Sequence, residues 1–232
     1  MQSHVTSGKV ILGVNHEMRD YATGRKKDLD LVIARPNGGV PAGGPSLKSL
    51  ATQYRINLTP QEQTLLAGLP DIPVAPVGAT LVALEAKATM TAHVKSLPRL
   101  YDELNSSHLC VHGSSVQALA IAYVQVNHSA TFVSPIINSK DMARGLPPEI
   151  TKHKQPADTQ RVLDKVAEIP RRSNSKGTGF DAIGVTVLDL VNDGSPVRLV
   201  NSPPAPQQGD NFHYGSMIVR MANEYDATFA HI

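Results

Sequence analysis

Two carboxylates and a lysine stand at positions that suit chemistry on a phosphodiester. Asp30 closes the acidic segment Asp28-Leu29-Asp30, and Glu85-Ala86-Lys87 ends a strongly apolar run. Residues two apart in an extended strand point to the same face. Glu85 and Lys87 therefore project together, with the Ala86 carbonyl between them. Asp30 joins them if its strand pairs with theirs. Cleaving a phosphodiester needs a divalent cation beside the scissile phosphate, a positioned water, and positive charge to offset what builds up in the transition state. Magnesium takes oxygen ligands and can act on phosphates with one or two carboxylates plus waters. Asp30, Glu85 and the Ala86 carbonyl satisfy that list as ligands. Lys87 supplies a positive head that can orient the attacking water or stabilise the phosphorane.

The first carboxylate has two alternatives. Asp28 shares the strand face of Asp30 and can take its role. Asp71 follows Pro70 and also precedes Glu85, but it sits among Pro70, Pro73 and Pro76, which argues against a paired central strand. Glu17, in the segment 10–22, is a further carboxylate, carried on a helix where that segment is one.

The elements that must position these groups follow from pattern. Residues 27–34 alternate, with Leu29, Leu31 and Ile33 on one side, and predict a strand. Residues 35–46 are dense in Gly and Pro and predict a mobile loop. Ser46 caps a short helix over 46–55, and Thr59-Pro60 opens another that runs to about Ala67. Residues 80–86 predict a second, mostly buried strand. Residues 88–109 read as helix with a kink or break at Pro98. Residues 116–127 predict another buried strand. A helix over 158–168, a hairpin made of 182–190 and 197–200 around Asn192-Asp-Gly-Ser-Pro196, and a helix over 214–227 complete the chain. Residues 10–22 read as a short helix or an irregular lead-in. Strands and helices mix throughout, so the class is α/β, with α+β as the alternative.

An acidic strand, then a strand ending in Glu-x-Lys, then a helix resembles the core of the PD-(D/E)XK nucleases, a superfamily that includes many type II restriction endonucleases. The matching residues are Asp30, Glu85 and Lys87, and the resemblance covers roughly residues 10–127. It implies a central mixed β-sheet flanked by helices, a restriction-endonuclease-like core with long insertions, since loop and helix must fill the gap between Asp30 and Glu85. It implies a single nuclease domain over 1–232, with 151–232 completing it or forming a DNA-binding or dimer surface. The implied activity is Mg2+-dependent hydrolysis of double-stranded DNA by a sequence-specific type II enzyme acting as a homodimer. Two alternatives stand beside it: a non-specific or structure-specific nuclease of the same core in repair, recombination or phage DNA processing, and a non-enzymatic nucleic-acid-binding module.

Charge gives the expected DNA face. The net charge is only +2, but residues 151–176 hold seven Lys and Arg against three Asp and Glu, whereas 177–232 hold two against six. A local basic stretch fits a surface that meets a polyanion. Lys95 and Arg99 on the helix after Lys87, and Arg171, Arg172 and Lys176 in a basic loop, are the candidate DNA contacts. His108, Cys110 and His112 are metal-capable types, but no second ligand pair lies near them in sequence, and they read as the polar end of a helix.

The remaining composition excludes other classes. Apolar residues make up 41 % of 232, enough for a core, and only 18 % are charged, so wholesale disorder is excluded. One cysteine excludes an internal disulfide framework. The longest apolar run, near 118–126, is about half of the roughly 20 residues that span a bilayer. With no signal peptide at residues 1–9, a cytoplasmic protein without a membrane segment is expected.

Overall fold

The computed structural model describes residues 1–41, 43–174 and 177–232, with the backbone alone at 140–142. A short helix α1 (Gln2–Thr6) leads into strands β1 (Ile11–Arg19) and β2 (Lys26–Pro36). Two helices, α2 (Leu47–Gln53) and α3 (Pro60–Gly68), fill the insertion before β3 (Val77–Thr89). Helix α4 (His93–Ser114) crosses to β4 (Leu119–Asn127). A second crossover carries β5 (Thr131–Phe132), α5 (Pro135–Met142), β6 (Thr151–Lys152) and α6 (Ala157–Ala167) before β7 (Ala182–Asp189). The chain ends with β8 (Arg198–Leu199) and α7 (Tyr214–Thr228).

The main sheet has six strands in the order β1-β2-β3-β4-β7-β8. The pairs β1/β2, β2/β3 and β7/β8 are antiparallel, while β3/β4 and β4/β7 are parallel. The class is therefore α/β, with a central mixed sheet between helices. Hydrophobic clusters define both faces. On one, Leu100, Leu104 and Val111 of α4 and Val162 and Val166 of α6 pack on Ile11, Val32, Ala83, Val124 and Val185. On the other, Val5 of α1 and Met217 and Tyr225 of α7 pack on Val82, Leu119 and Ile121. β4 is covered on both faces, which is why residues 118–122 form a continuous buried run without alternation.

The local signals acted as written. The Ser46 and Thr59 side chains each accept the amide three residues on, and Ser49 and Glu62 close reciprocal capping boxes. Pro98 lies inside α4 near its first turns, where the helix continues through it. Residues 10–22 depart from expectation. Residues 11–19 form β1, not a helix, and pair with β2 except at Asn15. Val10, Ile11 and Leu12 are all buried, so the period-2 signal is lost where both faces are covered. Strand β3 also extends three residues past each end of the expected 80–86. Among the described residues, no helix is long and apolar enough to cross a membrane.

Candidate active site

The site forms where β2 and β3 part. The β2/β3 ladder ends at Leu31 opposite Leu84, so the next positions, Asp30 and Glu85, face each other just beyond the last pair. On its other side, β2 pairs with β1 at Leu31 and again at Leu29, skipping Asp30 and Asn15. Asn15 has φ 50°, in the left-handed region. Leu29 and Val32 lie three apart yet join the same core cluster, although strict alternation would put them on opposite faces. The strand is therefore kinked at Asp30. Its carboxylate takes over the lost ladder: Oδ2 accepts the Ala86 amide at 2.6 Å. In an antiparallel strand the N–H and C=O of one residue lie on the same edge. The Ala86 carbonyl thus shares the edge on which Asp30 sits.

The kink also turns Lys27 toward the α4 face. Its ammonium lies 3.3 Å from Glu85 Oε1. Lys87 reaches the same oxygen at 2.6 Å, and its Nζ is also 3.2 Å from Glu103 Oε2 on α4. Arg99 closes the chain by donating to Glu103 Oε1 at 2.6 Å. Glu85 is 1 % exposed, and its second oxygen, Oε2, is buried with no hydrogen-bond partner. A buried carboxylate oxygen without a partner is costly unless something else satisfies it. Burial pushes the Lys87 ammonium toward its neutral form, but the bonds and charge of Glu85 and then Glu103 outweigh this and hold its pKa above the ordinary value. Burial raises Glu103, while its bonds to Arg99 and Lys87 prevail and hold it below the usual carboxylate range.

These contacts bring Lys87 to Glu85, as two-residue spacing predicts, and set the Asp30 carboxylate on the Ala86 amide between them. Lys27 and Glu103 were not anticipated. Lys27 was hidden by the kink, because uninterrupted alternation puts it on the face opposite Asp30. Glu103 was legible: it borders the Leu100/Leu104 stripe and lies four residues after Arg99 on a helix that must pack over β3.

The other candidates lie elsewhere. Asp28 is exposed and pairs across the ladder with Glu17. Glu17 is on a strand, not a helix, and is tied to Lys26 at 2.8 Å. Asp71 precedes the far end of β3 and accepts the Lys48 amide at the start of α2. Lys95 and Arg99 are exposed in the first turns of α4, and Arg99 is joined to the site through Glu103. Arg171 is exposed, with its guanidinium 4.7 Å from the Phe212 ring. It bridges Phe180 just before β7, toward the N-terminal ends of the parallel strands. Arg172 requires correction. It is 4 % exposed, bonds Asp181 at 2.7 Å, and donates to the Val116 and Ala118 carbonyls, so it belongs to the interior and not to a DNA face. Lys176 lies outside the described residues.

His108 and His112 do lie on one face of α4, with rings 6.4 Å apart, while buried Cys110 contacts the Arg25 carbonyl. Among the described residues, no three His, Cys, Asp or Glu side chains are grouped to hold a metal ion by themselves. A cation here would therefore rest on two carboxylates, the Ala86 carbonyl and water, a donor set that suits magnesium. Comparison of the chain with protein-family models, with curated proteins and with solved structures finds no match.

Proposed function

We propose that the protein is a Mg2+-dependent endonuclease that hydrolyses DNA phosphodiester bonds, with Asp30, Glu85 and Lys87 at its centre. The observation that carries this reading is the unpartnered, buried Oε2 of Glu85, beside a lysine and opposite a carboxylate at a strand opening. The order acidic strand, Glu-x-Lys strand and helix, within a mixed sheet flanked by helices, supports it further, since it agrees with what the PD-(D/E)XK resemblance implies. Asp30, Glu85 and the Ala86 carbonyl would hold the ion. Bound there, it would supply Lewis acidity to the scissile phosphate and lower the pKa of a coordinated water. Lys87, kept protonated by two carboxylates, donates hydrogen bonds to water or to phosphoryl oxygens. Lys95 and Arg99, exposed on α4, would meet backbone phosphates flanking the site, and their charge would add salt-sensitive affinity. The sequence-specific, homodimeric form of this activity, acting on double-stranded DNA, follows from the type II resemblance.

Incubation with unmodified plasmid and Mg2+ tests the reading. Discrete fragments support a restriction-type enzyme, and a smear supports a non-specific nuclease of the same core. No cleavage of any DNA by the folded protein, or full cleavage by Glu85→Gln, refutes it.

A further inference from the structure

We infer that Lys27 is a stand-in cation for Glu85 and is the group a divalent ion must displace; this rests on the nuclease reading of the site. Two lysines converge on a single oxygen, Oε1, while Oε2 of the same carboxylate has no partner. They are not equally held. Lys87 is shorter, at 2.6 Å, and a second carboxylate, Glu103, anchors it. Lys27 stands at 3.3 Å, has no second carboxylate among the described residues, and its side chain is 20 % exposed.

Charge makes the difference consequential. Asp30, Glu85 and Glu103 carry three negative charges, and Lys27, Lys87 and Arg99 carry three positive ones, so the cluster is neutral. A neutral cluster has little attraction for a dication. With the Lys27 head swung out to solvent on its flexible stem, the remaining cluster is negative and Glu85 has capacity to spare. Lys27 thus keeps the buried carboxylate compensated without metal, and its departure accompanies metal entry. Its presence sets metal affinity and ties that affinity to the charge of one side chain.

Calorimetric titration with Ca2+ alone, which needs no substrate or turnover, tests this on four proteins. Wild type should bind, and Lys27→Met should bind about ten-fold more tightly. Lys27→Arg should bind as wild type does. Lys26→Met, one residue away and paired with Glu17 instead, should change affinity less than two-fold. If Lys27→Met does not fold, Lys27→Gln reads the same quantity. Unchanged or weaker Ca2+ binding by the folded neutral variant, with wild type binding, overturns the inference and leaves the nuclease reading intact. Equal tightening by Lys26→Met also overturns it, because any lost charge would then suffice. Absence of Ca2+ binding by wild type and all variants overturns both.

Discussion

Acid should unfold this protein earlier than its carboxylates alone would require, and His108 should be the main cause. The ring is 2 % exposed within α4, edge-on to Phe180 at 5.3 Å, and its Nε2 lies 2.8 Å from Asn105 Oδ1. Its Nδ1 is buried without a partner. Burial first, then the neighbouring His112 and Arg172 charges, push its pKa down to about 4 from the ordinary 6.5. An unfolded chain binds this proton near pH 6.5, but the folded protein does not until about pH 4. Between those values the unfolded state holds more protons, so stability falls as pH falls. The contribution is complete above pH 6.5 and lost below about 4, and that gap corresponds to about 3 kcal/mol. His93 and His112 are shifted the same way, each chiefly by burial, and steepen the same window. The assay is urea unfolding of wild type and His108→Phe from pH 7 to 4.5. The wild-type midpoint should fall steadily, and the variant, which keeps a ring but cannot protonate, should fall clearly less. A wild-type midpoint that is flat across this range, or identical slopes for the two proteins, would refute the reasoning.

Three further outcomes are expected. Asp30→Asn, Glu85→Gln and Lys87→Ala should each lower the Mg2+-dependent cleavage rate by about 100-fold or more while leaving the circular dichroism spectrum unchanged; retained cleavage in any one removes that residue from the centre. Arg172→Met should cost about 3–5 kcal/mol in urea unfolding, because it leaves the Asp181 charge buried without its partner, and adding Asp181→Asn should recover part of the loss. Gly179→Ala should cost about 3 kcal/mol or prevent folding: the backbone there has φ +118°, and a Cβ would stand 2.5 Å from the Pro170 carbonyl. A melting temperature within a degree of wild type would show that this loop can relax.

Much of the fold was legible because its signals are local. Ser46 and Thr59 announced their helices by capping chemistry, and the apolar run to Glu85 announced a buried strand. The strand over 11–19 was missed for the opposite reason, since its first half is buried on both faces and shows no period. The shared direction of Glu85 and Lys87 was readable because two-residue spacing fixes relative direction along a strand, whereas the place of Asp30 rests on the pairing of β2 with β3. Lys27 was unreadable because its direction depends on a kink at Asp30, which the pairing of β1 through β3 decides and no two-residue rule contains. Arg172 misled for a different reason. Composition counted it in a basic loop, whereas Asp181 and two backbone carbonyls draw it inward. A charge run states how many cations a segment has, but partners elsewhere in the chain decide which of them reach solvent.

The kink gives the site its physical logic. A regular β2/β3 ladder at this level would satisfy the Ala86 amide with a backbone carbonyl and set Asp30 on a plain strand face. Instead the ladder stops at Leu31, and the Asp30 carboxylate replaces the missing acceptor. One oxygen of Asp30 is thereby fixed against the backbone of the Glu-x-Lys strand, directly opposite Glu85. The same slip of alternation turns Lys27 inward, where its ammonium lies against the buried Glu85 carboxylate. Opening the ladder therefore does two things at once. It sets the Asp30 carboxylate against the Ala86 amide, and it brings the Lys27 ammonium to the buried Glu85 carboxylate.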